Sequence, residues 1–247
     1  MARPFPAARP HGLLEEVLPD LFFVTGGMAM PGVLPIRFSR NMVVVREGSR
    51  LVLINTVRLD DAGLEALDKL GKVSDVIRLA AFHGMDDPFY ADRYGAKVWA
   101  VKGQRYTTGL GAANAETYFA PTVEMEATTE LPVEGASLYV IASAPPEGLL
   151  VLDRHGGTIV AGDCLQNWAA PDEHFSWLAR IAMKRMKFIV PHNIGPGWLK
   201  QGKPPKEHLR GILDEKFVNV LPAHGTPVIG GAADLYRPAI ERVSATR

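Results

Sequence analysis

The chain has 247 residues, long for one hydrophobic core but within reach of a single α/β domain or sandwich. Hydrophobic residues make up 47% and charged residues 22%, a globular balance that excludes a disordered chain; 27 basic residues against 27 acidic ones leave none of the basic excess that nucleic-acid binding needs. The lone cysteine, Cys164, excludes an intramolecular disulfide and a thiolate zinc cage and suits a reducing, cytoplasmic setting, and no stretch approaches the roughly 20 apolar residues of a membrane span.

In chain order, residues 1–15 read as a flexible N-terminal arm, rich in proline and without the apolar core of a signal peptide. Residues 16–247 hold no linker and read as one domain. Strands are expected at 21–25, 42–46 and 51–57, the last two joined by Glu47-Gly48-Ser49. A helix over 59–70 carries apolar residues at Leu59, Leu64, Leu67 and Leu70, with Gly71 to end it. A buried strand over 73–82 ends at His83. Asp86-Asp87-Pro88 has the form of a helix start, an acidic cap before proline, and that helix runs to about 94 before a strand at 97–101.

Residues 103–121 are rich in Gly, Ala and Thr and predict a loop or short irregular helix, with Gly109-Leu110-Gly111 as a turn. Strands follow at 137–142, 148–153 and 158–161, then a helix over 175–187, a Pro/Gly-rich break at 195–205, a helix over 207–215, a strand at 218–221 and a closing helix over 232–243. Two runs of strands with helices between them predict an α/β (α+β) fold: a four-layer αββα sandwich of two mixed β-sheets packed face to face, helices outside.

No Walker loop, dinucleotide fingerprint, nucleophile elbow or H-E-x-x-H motif is present. Four polar residues instead share one kind of position. His83, Asp163 and His224 each lie just past the carboxyl end of an expected strand, and Asp87 opens the helix that follows His83. Loops from different strands converge on such an edge, and imidazole with carboxylate there suits Zn, Mn or Fe. Taken singly, Asp86 and Asp87 are also ordinary helix caps, Asp163 a turn residue and His224 a loop histidine; the joint placement carries the site. His11, His155 and His208 read as surface residues, His174 and His192 as flanks of the 175–187 helix, and Cys164 as a small buried hydrophobe.

The order strand–strand–helix–strand–His-x-x-x-Asp–helix, then Gly-Asp after a strand and Ala-His-Gly near the end, resembles the metallo-β-lactamase superfamily over nearly the whole chain. That family's H-x-H-x-D-H motif stands here as His83-Gly84-Met85-Asp86-Asp87-Pro88, so Met85 and Pro88 occupy histidine positions. Ala144, in Ser143-Ala144-Pro145-Pro146-Glu147-Gly148, stands where a third histidine would. Asp163 matches the bridging aspartate and His224 the last histidine. The resemblance therefore implies a metal site of His83, Asp87, Asp163 and His224 that is too depleted for two ions.

Two functions stay open, ahead of a third in which His83, oriented by an aspartate, works without metal. One is a hydrolase of a small ester, thioester, lactone or phosphoester, with one divalent metal ion (Zn, Mn or Fe) held by Asp87, Asp163 and His224; His83 then orients or deprotonates the water, so that His83 and Asp87 count as catalytic. The other is a non-catalytic, metal-free descendant acting as a binding or interaction module. A small-molecule substrate fits the first; neither a nucleic-acid nor a membrane partner is expected, and the sequence does not set a homo-oligomeric state.

Overall fold

A computed structural model describes residues 5–30, 36–104 and 120–245. Seven strands lie side by side in chain order: β1 (Glu15–Leu18), β2 (Leu21–Met30), β3 (Ile36–Glu47), β4 (Arg50–Ile54), β5 (Lys72–Arg78), β6 (Lys97–Val101) and β7 (Val123–Met125). The first four pair antiparallel and the last four parallel. Helices α1 (Asp61–Leu70) and α2 (Asp87–Tyr94) make the crossovers from β4 to β5 and from β5 to β6. The second sheet holds β8 (Ala136–Ile141), β9 (Glu147–Leu152), β10 (Thr158–Val160) and, parallel to β10, β13 (Asn219–Leu221), in the order β13-β10-β9-β8. A two-stranded ribbon, β11 (Leu165–Gln166) with β12 (Asn193–Ile194), stands apart from both. The second half also carries α3 (Trp177–Arg185), α4 (Pro196–Gly202), α5 (Lys206–Gly211) and α6 (Ala232–Ala245).

Strand alternation builds the layers. In β3, Val43 and Val45 point between the sheets and meet Leu150, Leu152, Val160 and Leu221 of the second sheet. Their neighbours Met42 and Val44 point the other way, into a core closed by Leu64 and Leu67 of α1 and Phe89 and Tyr90 of α2. The outer face of the second sheet, with Leu149, Ile159 and Val220, is covered by Leu209 of α5, Ile212, and Tyr236 and Ile240 of α6. Both sheets are mixed and both are capped by helices, the expected αββα sandwich. Among the described residues, no helix is long and apolar enough to cross a membrane.

The departures from expectation have local causes. Strand β5 stops at Arg78, not at residue 82, because the Leu79 N–H turns to the Asn55 side chain (3.1 Å) and its carbonyl accepts from Gly148 N–H (2.9 Å). Pro196 begins α4 inside the expected break, since proline's fixed φ suits a first helical turn as well as a stop. The short strands β1 and β7, of 4 and 3 residues, carry no usable alternation. Of the arm, residues 1–4 lie outside the described residues. Phe5 packs edge-on against Phe89 (5.7 Å), and Gly12 N–H and Pro10 C=O bond to Thr25 and Gly27 of β2, at 2.8 Å each. Gly109-Leu110-Gly111 and most of the 103–121 stretch also lie outside the described residues.

Candidate metal centre

Three parallel strands aim their carboxyl ends at one spot. His83 follows β5, Asp163 follows β10 and His224 follows β13, and one ligand atom from each lies within 4.8 Å of the other two. His224 Nε2 is 3.1 Å and His83 Nε2 3.5 Å from the same oxygen, Asp163 Oδ1. The two imidazole rings are 5.1 Å apart between centroids, and all three residues are buried.

Hydrogen-bond bookkeeping shows what this cluster lacks. His224 Nδ1 lies 3.0 Å from the backbone carbonyl of Ser39, which can only accept, so Nδ1 carries the ring proton. A neutral His224 then presents a bare Nε2 lone pair to a carboxylate oxygen 3.1 Å away, acceptor against acceptor. Only a positive charge between them, a proton or a metal ion, makes that contact favourable. Asp163 Oδ2 is also buried, and among the described residues it has no hydrogen-bond donor. A ring nitrogen turned inward by a carbonyl on its other side is the usual support of a metal-binding histidine.

The supports of His224 run through residues that sequence reading did not select. Ser39 Oγ donates to Asp172 and accepts from Trp168 Nε1 (3.2 Å), while Asn41 Nδ2 donates to the carbonyls of Pro222 (2.9 Å) and Gly225 (2.7 Å), tying β3 to the loop that carries His224. Trp168 and Phe38 wall the ring, with centroids 4.8 and 6.1 Å from it. Under the Asp163 loop lies Glu147, whose carboxyl accepts from Cys164 N–H at 2.6 Å. Burial foremost, then the Asp163 charge, pushes Glu147 well above the usual carboxyl range, so it sits there as a neutral acid. Burial likewise raises the Cys164 thiol, which stays protonated in the core. For Asp163 burial favours the acid form, but the His83 and His224 rings outweigh it and hold the carboxyl below its usual value. Burial pushes His83 below the ordinary imidazole value, with Asp163 opposing.

Asp87, the fourth expected ligand, is close by but turned elsewhere. Its Oδ1 accepts from Thr56 Oγ1 (2.6 Å), and its Oδ2 lies 3.5 Å from Arg78 Nη1. Asp86 does not cap α2: its Oδ2 takes the Arg40 guanidinium and the Arg58 N–H (2.7 Å). Ala144 holds the Gly202 carbonyl through its N–H and brings no ligand to the cluster. Among the other histidines, His192 packs on Tyr236, His208 accepts from Ala142 N–H and His155 lies by the Pro19 carbonyl, so none joins the group.

No protein-family model matches the sequence, and no curated protein matches it. Solved structures do match in fold. The metallo-β-lactamase FIM-1 from Pseudomonas aeruginosa, in a mono-zinc form, superposes with a TM-score of 0.60 at 12% identity over 98% of this chain and 100% of its own. The metallo-β-lactamase DIM-1 superposes at 0.59 and 12%, over 94% and 99% of the two chains. A metallo-β-lactamase from Hirschia baltica superposes at 0.54 and 15%, over 92% and 98%.

Proposed function

From the premise that this chain has the metallo-β-lactamase fold, we propose that it is a hydrolase of hydrolase ancestry, built to work with one divalent metal ion held by His83, Asp163 and His224. The observation that carries this reading is the His224–Asp163 contact, where a ring oriented by the Ser39 carbonyl turns a lone pair onto a buried carboxylate. Two imidazole nitrogens and a carboxylate oxygen suit Zn, Mn or Fe, and a three-residue set leaves positions for water or substrate. A metal there supplies Lewis acidity, polarising an acyl or phosphoryl oxygen and making water more acidic. The chain's own part is to hold the His83 and His224 rings and the Asp163 carboxylate in a fixed constellation, with Trp168 and Phe38 keeping solvent from the His224 face. The substrate class this supports is a small ester, thioester, lactone or phosphoester. One fold neighbour was solved with a single zinc, which agrees with a one-ion reading.

A proton on His224 Nε2 would satisfy the same contact, and that observation supports the second reading, a metal-free binding module. Elemental analysis of protein purified without chelators or a metal-affinity column separates the two. About one equivalent of metal, absent from Asp163→Ala, supports the hydrolase; no metal even after soaking in Zn²⁺ and Mn²⁺ supports the module.

A further inference from the structure

We propose that Arg78 and Arg40 act as built-in countercharges for the turn carrying Asp86 and Asp87, and that these guanidinium groups keep divalent ions out of it. The resemblance seen in the sequence puts Asp87 in a metal site; its surroundings do not fit one.

The placement follows from strand alternation. Val43 and Val45 of β3 point between the sheets, so Arg40, an odd number of residues away, points outward with Met42 and Val44. Ile77 and Leu79 point inward and Val76 outward, so Arg78 also points outward. Both arginines therefore rise under the start of α2, one on each side of the acidic turn. The side chains are 4% exposed for each arginine, against 9% for Asp86 and 2% for Asp87. Two positive and two negative charges thus lie out of water together, each carboxylate with a guanidinium of its own.

The contacts are fixed on several sides. The Arg40 Nη1–H group donates to the Thr56 carbonyl (3.0 Å) while Nη2 pairs with Asp86, and Thr56 Oγ1 donates to Asp87, so one threonine links both pairs. Gly84 wraps closely over the second pair: a Cβ there would meet Arg78 Cδ and Asp87 Oδ2 at 2.5 Å each. A cation approaching Asp87 would meet the guanidinium already beside it, at a Coulomb cost that low-dielectric surroundings magnify. The central cluster differs in that, among the described residues, no lysine or arginine pairs with Asp163, whose ion-pair partners are the two histidines.

The test is the zinc stoichiometry, by native mass spectrometry after equilibration with Zn²⁺ and removal of the excess. Wild type and Asp87→Asn should carry the same count. Arg78→Met should carry one zinc more than Arg78→Met/Asp87→Asn, and Arg78→Lys, which keeps the charge, should match wild type. An equivalent present in wild type and lost in Asp87→Asn would overturn the proposal, as would equal counts in folded Arg78→Met and the double variant. Should Arg78→Met not fold, the wild-type, Asp87→Asn and Arg78→Lys counts still decide, a departure of either variant from wild type overturning it. Failure of the hydrolase reading shows separately, as a zinc count in wild type that Asp163→Ala does not change.

Discussion

Two acidic spots lie side by side at the same edge of this molecule and are balanced in opposite ways. At the start of α2, Asp86 and Asp87 are matched by Arg40 and Arg78, and Thr56 adds a hydroxyl to Asp87. Between the sheets, Asp163 faces two imidazoles, one with its Nε2 3.1 Å from the carboxylate, and among the described residues its second oxygen has no donor. At the first spot the guanidinium groups supply the positive charge, although Asp87 Oδ2, like Asp163 Oδ2, accepts no hydrogen bond among the described residues; the second spot has no guanidinium of its own and calls for a cation. Buried carboxylates are therefore not equivalent pointers to a metal; what decides is whether a fixed positive charge already stands beside them.

The largest expected effect breaks the balanced spot. Arg78→Met leaves Asp87 buried without its countercharge and should cost roughly 3–5 kcal/mol of unfolding free energy in urea titration. Adding Asp87→Asn should restore much of that loss; a double variant no more stable than Arg78→Met would show that Arg78 acts through packing instead. At the central cluster, Asp172→Ala removes the acceptor of the Ser39 hydroxyl, which also takes the Nε1–H of Trp168, the ring packed on His224. Zinc affinity should fall about 10–100-fold by competition with a chromophoric chelator, with the fold retained by circular dichroism; unchanged affinity would remove Ser39 from the account.

The smallest effect concerns pH. Burial holds His83 below the ordinary imidazole value of 6.5, so over the range just below it the unfolded chain binds a proton that the folded chain does not. In the metal-free protein this group should contribute a level term above pH 6.5 and a loss below it, of at most about 1.4 kcal/mol per pH unit, superposed on the opposite slope of neutral Glu147, which wild type and variant share. His83→Phe should flatten that decline, and an identical slope in the variant would mean that other histidines cause it.

Much of the frame was legible beforehand because alternation and helix stops are local signals. Leu64, Leu67 and Gly71 marked α1, and the strand ends placed His83, Asp163 and His224 on one edge. What was not legible is how those side chains are used. Asp86-Asp87-Pro88 carries the signature of a helix cap, yet Asp86 makes no cap bond, because its partner Arg40 comes from a strand 46 positions away. Arg78 lies within the strand expected to be buried and Arg40 just before the one expected at 42–46, and nothing at either position marks an acidic partner, so neither gave a signal. Ser39 supports His224 through its backbone carbonyl, which no side-chain motif can encode, and Glu147 was visible only as a residue beside Ala144. Asp87 was grouped with His83, Asp163 and His224 on its place after a strand and on family spacing; the three others meet in one group, and Asp87 lies beside Arg78.

Anomalous X-ray diffraction at the zinc edge, from crystals soaked in Zn²⁺, tests the central claim most directly. The account predicts one strong peak, about 2.0–2.2 Å from ring nitrogens of His83 and His224 and from a carboxylate oxygen of Asp163, and none beside Asp87. An empty central cluster, or a peak coordinated by Asp87 next to an undisplaced Arg78, would contradict it.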